Sequence, residues 1–398
     1  MIVVIGGGIA GVSTVAALRS GGYEGDLTLV EAGALPYDRP PLSKEFLLGT
    51  KAVADIALRP PEWYDDSKIR LFTGTRATAL HPGTGRVELG DGTELPAEHV
   101  VLATGGAAAR PPVPGLDGDR VHVLRTDDDA ERLRTALRPG ARVLVVGAGL
   151  IGAEVASTAV DLGCEVVLAD PTDPPLAAAL GTEVARWLHD RHAPRGIRTV
   201  TAAVGAIRRT GHEVEVEIPE PQRFDLVVLG IGMVPDTALA AHAGIEVERG
   251  IVVDPARRTS NPAVLAVGDP ARVRRAGVLL PRTEHWDAAR HDGAVAAATL
   301  LGTVPPAEPA PWFWTDRHGL HVEAIGGMTG AERTVLRGSY DSSAFAVFAL
   351  VDGRVAGAVA VNDSTAVRAA RRLIERGTAV DPDRLADPRT ELRALLRG

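Results

Sequence analysis

The chain opens on eighteen residues without one charged side chain (MIVVIGGGIAGVSTVAAL). Ile2 to Ile5 are continuously apolar and β-branched, the pattern of a strand buried on both faces of a parallel sheet. Gly6 to Gly11 interrupt the run, residues 12–20 predict a helix, and Leu27 to Val30 predict a second strand. The same order returns later. Arg142–Val146 reads as a strand, Gly147–Gly152 as a turn, Ala153–Leu162 as a helix and Glu165–Ala169 as a strand. The glycine pattern is displaced by 141 positions. A repeated βαβ unit predicts two α/β domains of one kind rather than a solenoid.

Between the two units lies a strand-rich stretch, about residues 70–103, with turn signals HPGTGR and GDG. A Pro-rich segment, RPPVPG (Arg110–Gly115), predicts a domain crossover. Asp225–Gly232 and Ala263–Asp269 read as further strands. A second Pro-rich linker, VPPAEPAP (Val304–Pro311), precedes a tail of alternating strands, Ala344–Val351 and Arg354–Val361. An Arg-rich helix with Arg368, Arg371 and Arg372 on its polar face follows. The pattern predicts a discontinuous first domain (1–108 and 237–303), an inserted second domain (109–236) and a small α+β domain (304–398).

Composition narrows the class. At 398 residues the chain suits two or three domains, and 45% hydrophobic with 24% charged residues is a globular mix. Aromatics at 4% and a net charge of −8 argue against a nucleic-acid binder. The apolar start lacks a basic flank and carries four glycines, so it predicts neither a signal peptide nor a membrane span; a cytoplasmic protein is expected. Cys164 is the single cysteine, which excludes an internal disulfide, a Cys-x-x-Cys pair and a multi-cysteine zinc site. It reads as a small core residue. His189 and His192 have no Glu-x-x-His or Cys partner, so no metal is expected.

Gly6, Gly8 and Gly11 form G-x-G-x-x-G between a strand and a helix. The first glycine permits the tight turn, the second lets a pyrophosphate approach the backbone, and the third lets helix and strand pack closely. The helix N-terminus offers free amides and partial positive charge to phosphates. Glu31, at the end of the second strand, is placed to accept hydrogen bonds from a ribose diol. Gly147, Gly149 and Gly152, followed by Asp170, repeat the motif. The charge of Asp170 would repel a 2′-phosphate, and no Arg or Lys follows in the next fifteen positions, so NADH is expected over NADPH. The plainer reading of Asp170 is a turn start before Pro171. Two nucleotide sites without a cysteine pair suggest one flavin and one nicotinamide.

The motifs PYDRPPLSK (Pro36–Lys44), VLATGG, VLRTDDDA, VVGAGLIGAEVA, VVLGIGMVPD, LAVGDPARV and PWFWTD (Pro311–Asp316) occur in this order. Together they resemble, over nearly the whole chain, the FAD-dependent NADH:ferredoxin reductases of bacterial oxygenase systems, the putidaredoxin reductase and biphenyl dioxygenase reductase type. The resemblance implies a glutathione reductase fold: two Rossmann-like dinucleotide-binding domains, for FAD and NAD, plus the C-terminal domain. It implies electron transfer from NADH through FAD to a [2Fe–2S] ferredoxin serving a haem monooxygenase or a ring-hydroxylating dioxygenase, in a monomer or weak homodimer. A rubredoxin or nitrite reductase-type flavoprotein, or an NADH-sensing interaction protein like apoptosis-inducing factor, is the alternative.

Carried over by position, the resemblance implies FAD contacts from Ala10, Glu31, Ala32, Arg39, Lys44, Ala77, Arg125, Asp269 and Trp286. It pairs Glu154 with Lys44 to position the nicotinamide beside the flavin, with Ile231 and Gly232 lining the same NAD site. Each residue also has a structural reading: Glu154 as a first-turn acid, Arg125 as part of a helix start, Trp286 as packing. Trp312 and Trp314 are equally readable as core. Asp292 stands where a Gln is common before Gly293, and Ala288 replaces a frequent Asn. Arg272, Arg274, Arg275 and Arg282 cluster after Asp269 and are expected either to steer an acidic ferredoxin or to be a solvated loop.

Overall fold

The computed structural model describes residues 1–111, 113–115 and 118–397. Pro112 of the Pro-rich crossover and Gly398 of the predicted third domain lie outside the described residues. The chain forms two compact units. The first comprises Met1–Arg39, Lys51–Ala107 and Met233–Glu308; the second comprises Pro40–Thr50, Ala108–Gly232 and Pro309–Gly398.

In the first unit a parallel sheet has the order Val264–Ala266, His99–Leu102, Ile2–Ile5, Leu27–Val30, Ile69–Phe72. Strand alternation explains why the opening run is apolar throughout. Ile2 and Val4 face the helices Ile9–Ser20 and Trp286–Leu301, packing with Val15, Leu18 and Ala296. Val3 and Ile5 face the antiparallel sheet Ala77–His81, Arg86–Leu89, Glu94–Pro96, packing with Leu80, Val87 and Leu89. The first glycine helix begins at Ile9, a turn earlier than the hydrophobic pattern predicts, because Ala10 and Gly11 belong to its first turn.

The second unit repeats this plan. Its parallel sheet has the order Arg198–Thr201, Glu165–Asp170, Arg142–Val146, Leu226–Leu229, Val121–Val123. Val143 and Val145 pack with Val155, Ala156 and Ala159 of the second glycine helix, Leu150–Asp161. Leu144 and Val146 face Val214, Val216 and Ile218 of a second three-stranded antiparallel sheet. The segment 40–50 also belongs here: Leu47 is fully buried beside Leu133 and Val143. The sequence pattern places that segment in the first domain; its apolar anchor takes it to the second unit.

The tail is a five-stranded antiparallel sheet in the order Trp312–Arg317, Leu320–Gly326, Arg354–Val361, Phe345–Val351, Arg333–Gly338. One face packs Phe348, Ala358 and Ala360 against Val367, Ala370 and Leu373 of helix Ser364–Arg376. The other packs Val322, Val347 and Val359 against Leu180, Val184 and Leu188. Leu180 ends the short helix Ala177–Leu180, helix Thr182–Asp190 presents Val184 and Leu188 at helical spacing, and Trp187 Nε1 donates to the Tyr340 carbonyl at 2.9 Å. The tail therefore shares a core with the helices Ala177–Leu180 and Thr182–Asp190 of the same unit. Among the described residues no helix is long and apolar enough to cross a membrane.

A buried polar seam lies at the foot of the second glycine helix. Ser157 Oγ is 3.1 Å from His318 Nδ1, His318 Nε2 is 2.9 Å from His192 Nδ1, and the Arg317 guanidinium lies 3.4 Å from His192 Nε2. Burial, reinforced by the Arg317 charge, pushes His192 down to about 2 and His318 to about 4. Both rings are therefore neutral in the fold, while the unfolded chain takes up protons near 6.5. Their contribution to stability is complete above about pH 6.5 and is lost as pH falls from there toward the folded value. The melting temperature should fall on acidification from pH 7 to 5, and His318→Gln should flatten that slope. An unchanged slope in the variant would contradict this account of the seam.

Candidate functional site: two glycine cradles and a buried carboxylate

In the first cradle Gly6 adopts φ +110°, and a Cβ there would lie 2.2 Å from the Ala103 carbonyl oxygen. A Cβ on Gly11 would lie 1.9 Å from the Gly6 carbonyl oxygen. No side chain larger than hydrogen fits either position. Gly8 caps the helix without a side-chain bond, which leaves first-turn amides for a ligand. Glu31 Oε2 accepts from the Gly7 amide and Oε1 from the Gly33 amide, each at 2.6 Å. The strand-end acid is thereby held against the glycine loop, with lone pairs left for a diol. The Arg39 guanidinium lies 3.2 Å from the position a Cβ on Gly8 would take.

The same unit carries Ala10, Ala32, Ala77, Asp269 and Trp286. Ala10 packs under the Gly268–Asp269 corner, Ala32 adjoins Glu31 and is exposed, and Ala77 is buried at the start of its strand. Trp286 opens the long helix Trp286–Leu301, and its Nε1 donates to Asp38 at 2.8 Å. Lys44 and Arg125 belong to the second unit. Arg125 precedes the capping residue Thr126, and its backbone amide donates to Asp129 at 3.1 Å.

The second cradle repeats the first. Gly147 has φ +96°, and a Cβ on Gly152 would lie 1.9 Å from the Gly147 carbonyl oxygen. Nothing lies within 4 Å of a Cβ placed on Gly149, so the turn faces open space. Asp170 Oδ2 accepts from the Ala148 amide and Oδ1 from the Thr172 amide, each at 2.8 Å. Half-exposed Ile231 and Gly232 (φ +99°) follow strand Leu226–Leu229 at its C-terminal end. Gly230, which the motif reading passed over, is also essential to the fit. A Cβ on it would lie 2.9 Å from the Gly152 Cα. The G-x-G within LGIGM is the signal for it.

Glu154 lies in the first part of the second glycine helix and is only 3% exposed. Burying a carboxylate is costly unless donors surround it. Here four do. Lys44 Nζ lies at 3.2 Å, Thr315 Oγ1 at 2.8 Å and the Asp316 amide at 3.0 Å, and Ser43 Oγ donates as well. Lys44 also meets Asp316 Oδ2 at 3.1 Å and lies 5.8 Å above the Trp314 ring. Thr158 Oγ1 donates to the Ser43 carbonyl at 2.7 Å, fixing the turn Pro40–Ser43 to the helix. Sequence reading finds Lys44 and Glu154 but not Ser43, Thr315 or Asp316 as their partners. A short polar residue beside a lysine carries no signal of a partner 110 or more positions away.

The four arginines singled out after Asp269 are not an uncompensated patch. Arg274 pairs bidentately with Glu246 (2.7 and 2.9 Å), Arg275 with Glu308 (2.6 Å), Arg282 with Glu284 (2.7 Å) and Arg272 with Glu248 (3.5 Å). Cys164 is buried, and burial pushes its thiol up to about 11, away from thiolate chemistry. Among the described residues no cluster of three His, Cys, Asp or Glu side chains is placed to hold a metal.

Two strand–glycine–helix cradles in a mixed α/β chain define a dinucleotide-dependent oxidoreductase. Residues 1–293 match the family model for pyridine nucleotide-disulphide oxidoreductases, and residues 312–396 match the reductase C-terminal domain. The chain belongs to this pyridine nucleotide-disulphide oxidoreductase family. It is 39% identical to the anthranilate 1,2-dioxygenase system ferredoxin–NAD(+) reductase component of Burkholderia cepacia, over 99% of this chain and 98% of that one. It is 35% identical to the putidaredoxin reductase of Pseudomonas putida, over 99% and 96%. The crystal structure of the covalent putidaredoxin reductase–putidaredoxin complex covers 100% of this chain and 98% of that chain, with a TM-score of 0.91 at 33% identity.

Proposed function

We infer that this oxidoreductase is an FAD-containing NADH:ferredoxin reductase that supplies an oxygenase through a [2Fe–2S] ferredoxin, working in the cytoplasm. One observation carries the reading most strongly. The chain holds two glycine cradles, each with its strand-end acid hydrogen-bonded to its own loop, and no cysteine pair. Curated relatives of matching length are named as ferredoxin reductases of oxygenase systems.

The first cradle fits FAD. Its uncapped helix amides suit a pyrophosphate, Glu31 suits a ribose diol, and Arg39 brings a positive charge to the loop. The second cradle fits NADH, with Asp170 on the adenosine ribose. FAD, when bound, accepts the two electrons of a hydride together and returns them one at a time. The protein contributes placement and charge. The helix amides seat the phosphates, Asp170 excludes a 2′-phosphate, and Ile231 and Gly232 border the nicotinamide end. Glu154 holds the Lys44 ammonium in one position, together with Asp316. That fixed charge orients the nicotinamide; no proton need leave it.

The test is NADH-driven reduction of cytochrome c with and without an added [2Fe–2S] ferredoxin. The rate should depend on ferredoxin and saturate with it. Equal rates with and without ferredoxin would overturn the reading and favour an NADH-sensing protein.

Docking of the ferredoxin on the Arg272–Arg282 loop is part of the same proposal. Because each arginine already has a glutamate partner, steering there is modest. Reversing charge at both Arg274 and Arg275 should raise the ferredoxin KM by roughly two- to tenfold at low salt. Ferricyanide reduction should not change. An unchanged ferredoxin KM would remove this loop from the docking surface.

A further inference from the structure

Asp292 is a charged residue set into the long helix Trp286–Leu301, and its surroundings give it a role. Helix Trp286–Leu301 crosses the first glycine helix at Gly293, where a Cβ would lie 2.7 Å from the Ala10 carbonyl oxygen and 2.8 Å from the Thr14 nitrogen. Asp292 stands beside this crossing, with its side chain 14% exposed. Its Oδ1 accepts from Arg257 Nε at 2.8 Å and lies 2.7 Å from a terminal guanidinium nitrogen of the same residue. Its Oδ2 accepts from the Gly268 backbone amide at 3.0 Å.

Arg257 is itself unusual. It is 3% exposed and adopts φ +66°, a left-handed conformation that disfavours every residue but glycine. Its other guanidinium contacts are the Pro255 carbonyl at 2.9 Å and Glu308 at 3.8 Å. Its own carbonyl accepts from the Ala266 amide at 3.0 Å. Arg257 is thus tied to the last strand of the parallel sheet by its backbone and to Asp292 by its side chain. That strand runs straight into Gly268 and Asp269. Gly268 has φ +73°, and a Cβ on it would lie 2.9 Å from Ala10 Cβ. The Gly268–Asp269 corner is therefore pressed onto the first turn of the glycine helix, and Asp292 holds its amide there.

We propose that Arg257 and Asp292 are positioning residues for the flavin cradle: the pair anchors the Gly268 amide and so sets where Asp269 meets the dinucleotide. The inference rests on the FAD reading of the first cradle. A surface ion pair would leave the corner to its own devices. This pair is buried, and one carboxylate oxygen is committed to the corner while the other takes the counter-ion.

Flavin affinity tests it. Apoprotein stripped of flavin is titrated with FAD, and its thermal midpoint is measured in parallel. In Asp292→Asn the amide has one oxygen for two donors. Whichever way it turns, an NH2 group faces either the Gly268 amide or the Arg257 guanidinium. The Kd for FAD should rise by about tenfold to a hundredfold, and the apoprotein midpoint should drop. The double variant Arg257→Met, Asp292→Leu separates cradle from fold. Replacing a buried pair by apolar groups should return the apoprotein midpoint toward wild type. The Gly268 amide still lacks its acceptor, so FAD affinity should stay about tenfold weaker. A wild-type FAD affinity in either variant would overturn the inference. Failure of the wild-type apoprotein to bind FAD would instead overturn the reading on which it rests.

Discussion

Glu154→Leu should cost about 3–5 kcal/mol of stability in the second unit, because it leaves a buried group of donors without their acceptor. Lys44, Ser43, Thr315 and the Asp316 amide all converge on this carboxylate. They come from two separate stretches of chain, so the loss should loosen the turn Pro40–Ser43 and the strand Trp312–Arg317 together. The rate of NADH-driven flavin reduction should fall as well. Misplacement by an ångström is worth about a hundredfold in rate, and Lys44 would be held by Asp316 alone of its two carboxylate partners. Lys44→Met should act differently. It leaves Glu154 with three donors, so stability should suffer much less than in Glu154→Leu, while the hydride step still slows. Denaturant melts and single-turnover reduction, run on the folded fraction at low temperature, read the two effects apart. Equal stability losses in the two variants, or reduction within twofold of wild type in Glu154→Leu, would contradict the assignment.

Asp170→Ala should collapse the preference for NADH over NADPH. The carboxylate accepts from Ala148 and Thr172 amides at 2.8 Å each, which orients it at the strand end. In the proposed NADH site its removal would take away a charged acceptor for the ribose diol, and kcat/KM for NADH should fall by about ten- to a hundredfold. The same removal lifts the repulsion against a 2′-phosphate, so kcat/KM for NADPH should hold or rise. Steady-state kinetics with both nucleotides checks this. Parallel losses with both nucleotides would mean that Asp170 serves only the local turn.

Much of this was legible in the chain. The two glycine patterns and their trailing acids, Glu31 and Asp170, are local signals, and each element they predict is present. The unbroken apolar runs Ile2–Ile5 and Val143–Val146 foretell burial on both faces because these strands sit inside their sheets. The helix starts came out late because an N-cap glycine carries no side-chain signal, unlike Thr126 with its capping box. What escaped were partners distant in sequence. Ser43 and Thr315 are unremarkable hydroxyls until Glu154 lies between them. The Arg274–Glu246 pair spans 28 positions, so a basic run looked unopposed. The small C-terminal sheet domain was legible too, but nothing local tells that its Val322 and Val359 bury against Leu180 and Leu188. Asp292 stands in the chain as one charged position of an alanine-rich helix; its meaning needed Arg257, 35 positions away.

The central claim is that one chain takes reducing equivalents from NADH onto a flavin. Anaerobic stopped-flow absorbance of the purified protein, mixed in turn with NADH and NADPH, tests it most directly. The account predicts that NADH rapidly bleaches the flavin absorbance while NADPH at the same concentration does so far more slowly. A protein without flavin absorbance, or a bound flavin that NADH reduces only slowly into a long-lived charge-transfer complex, would contradict it.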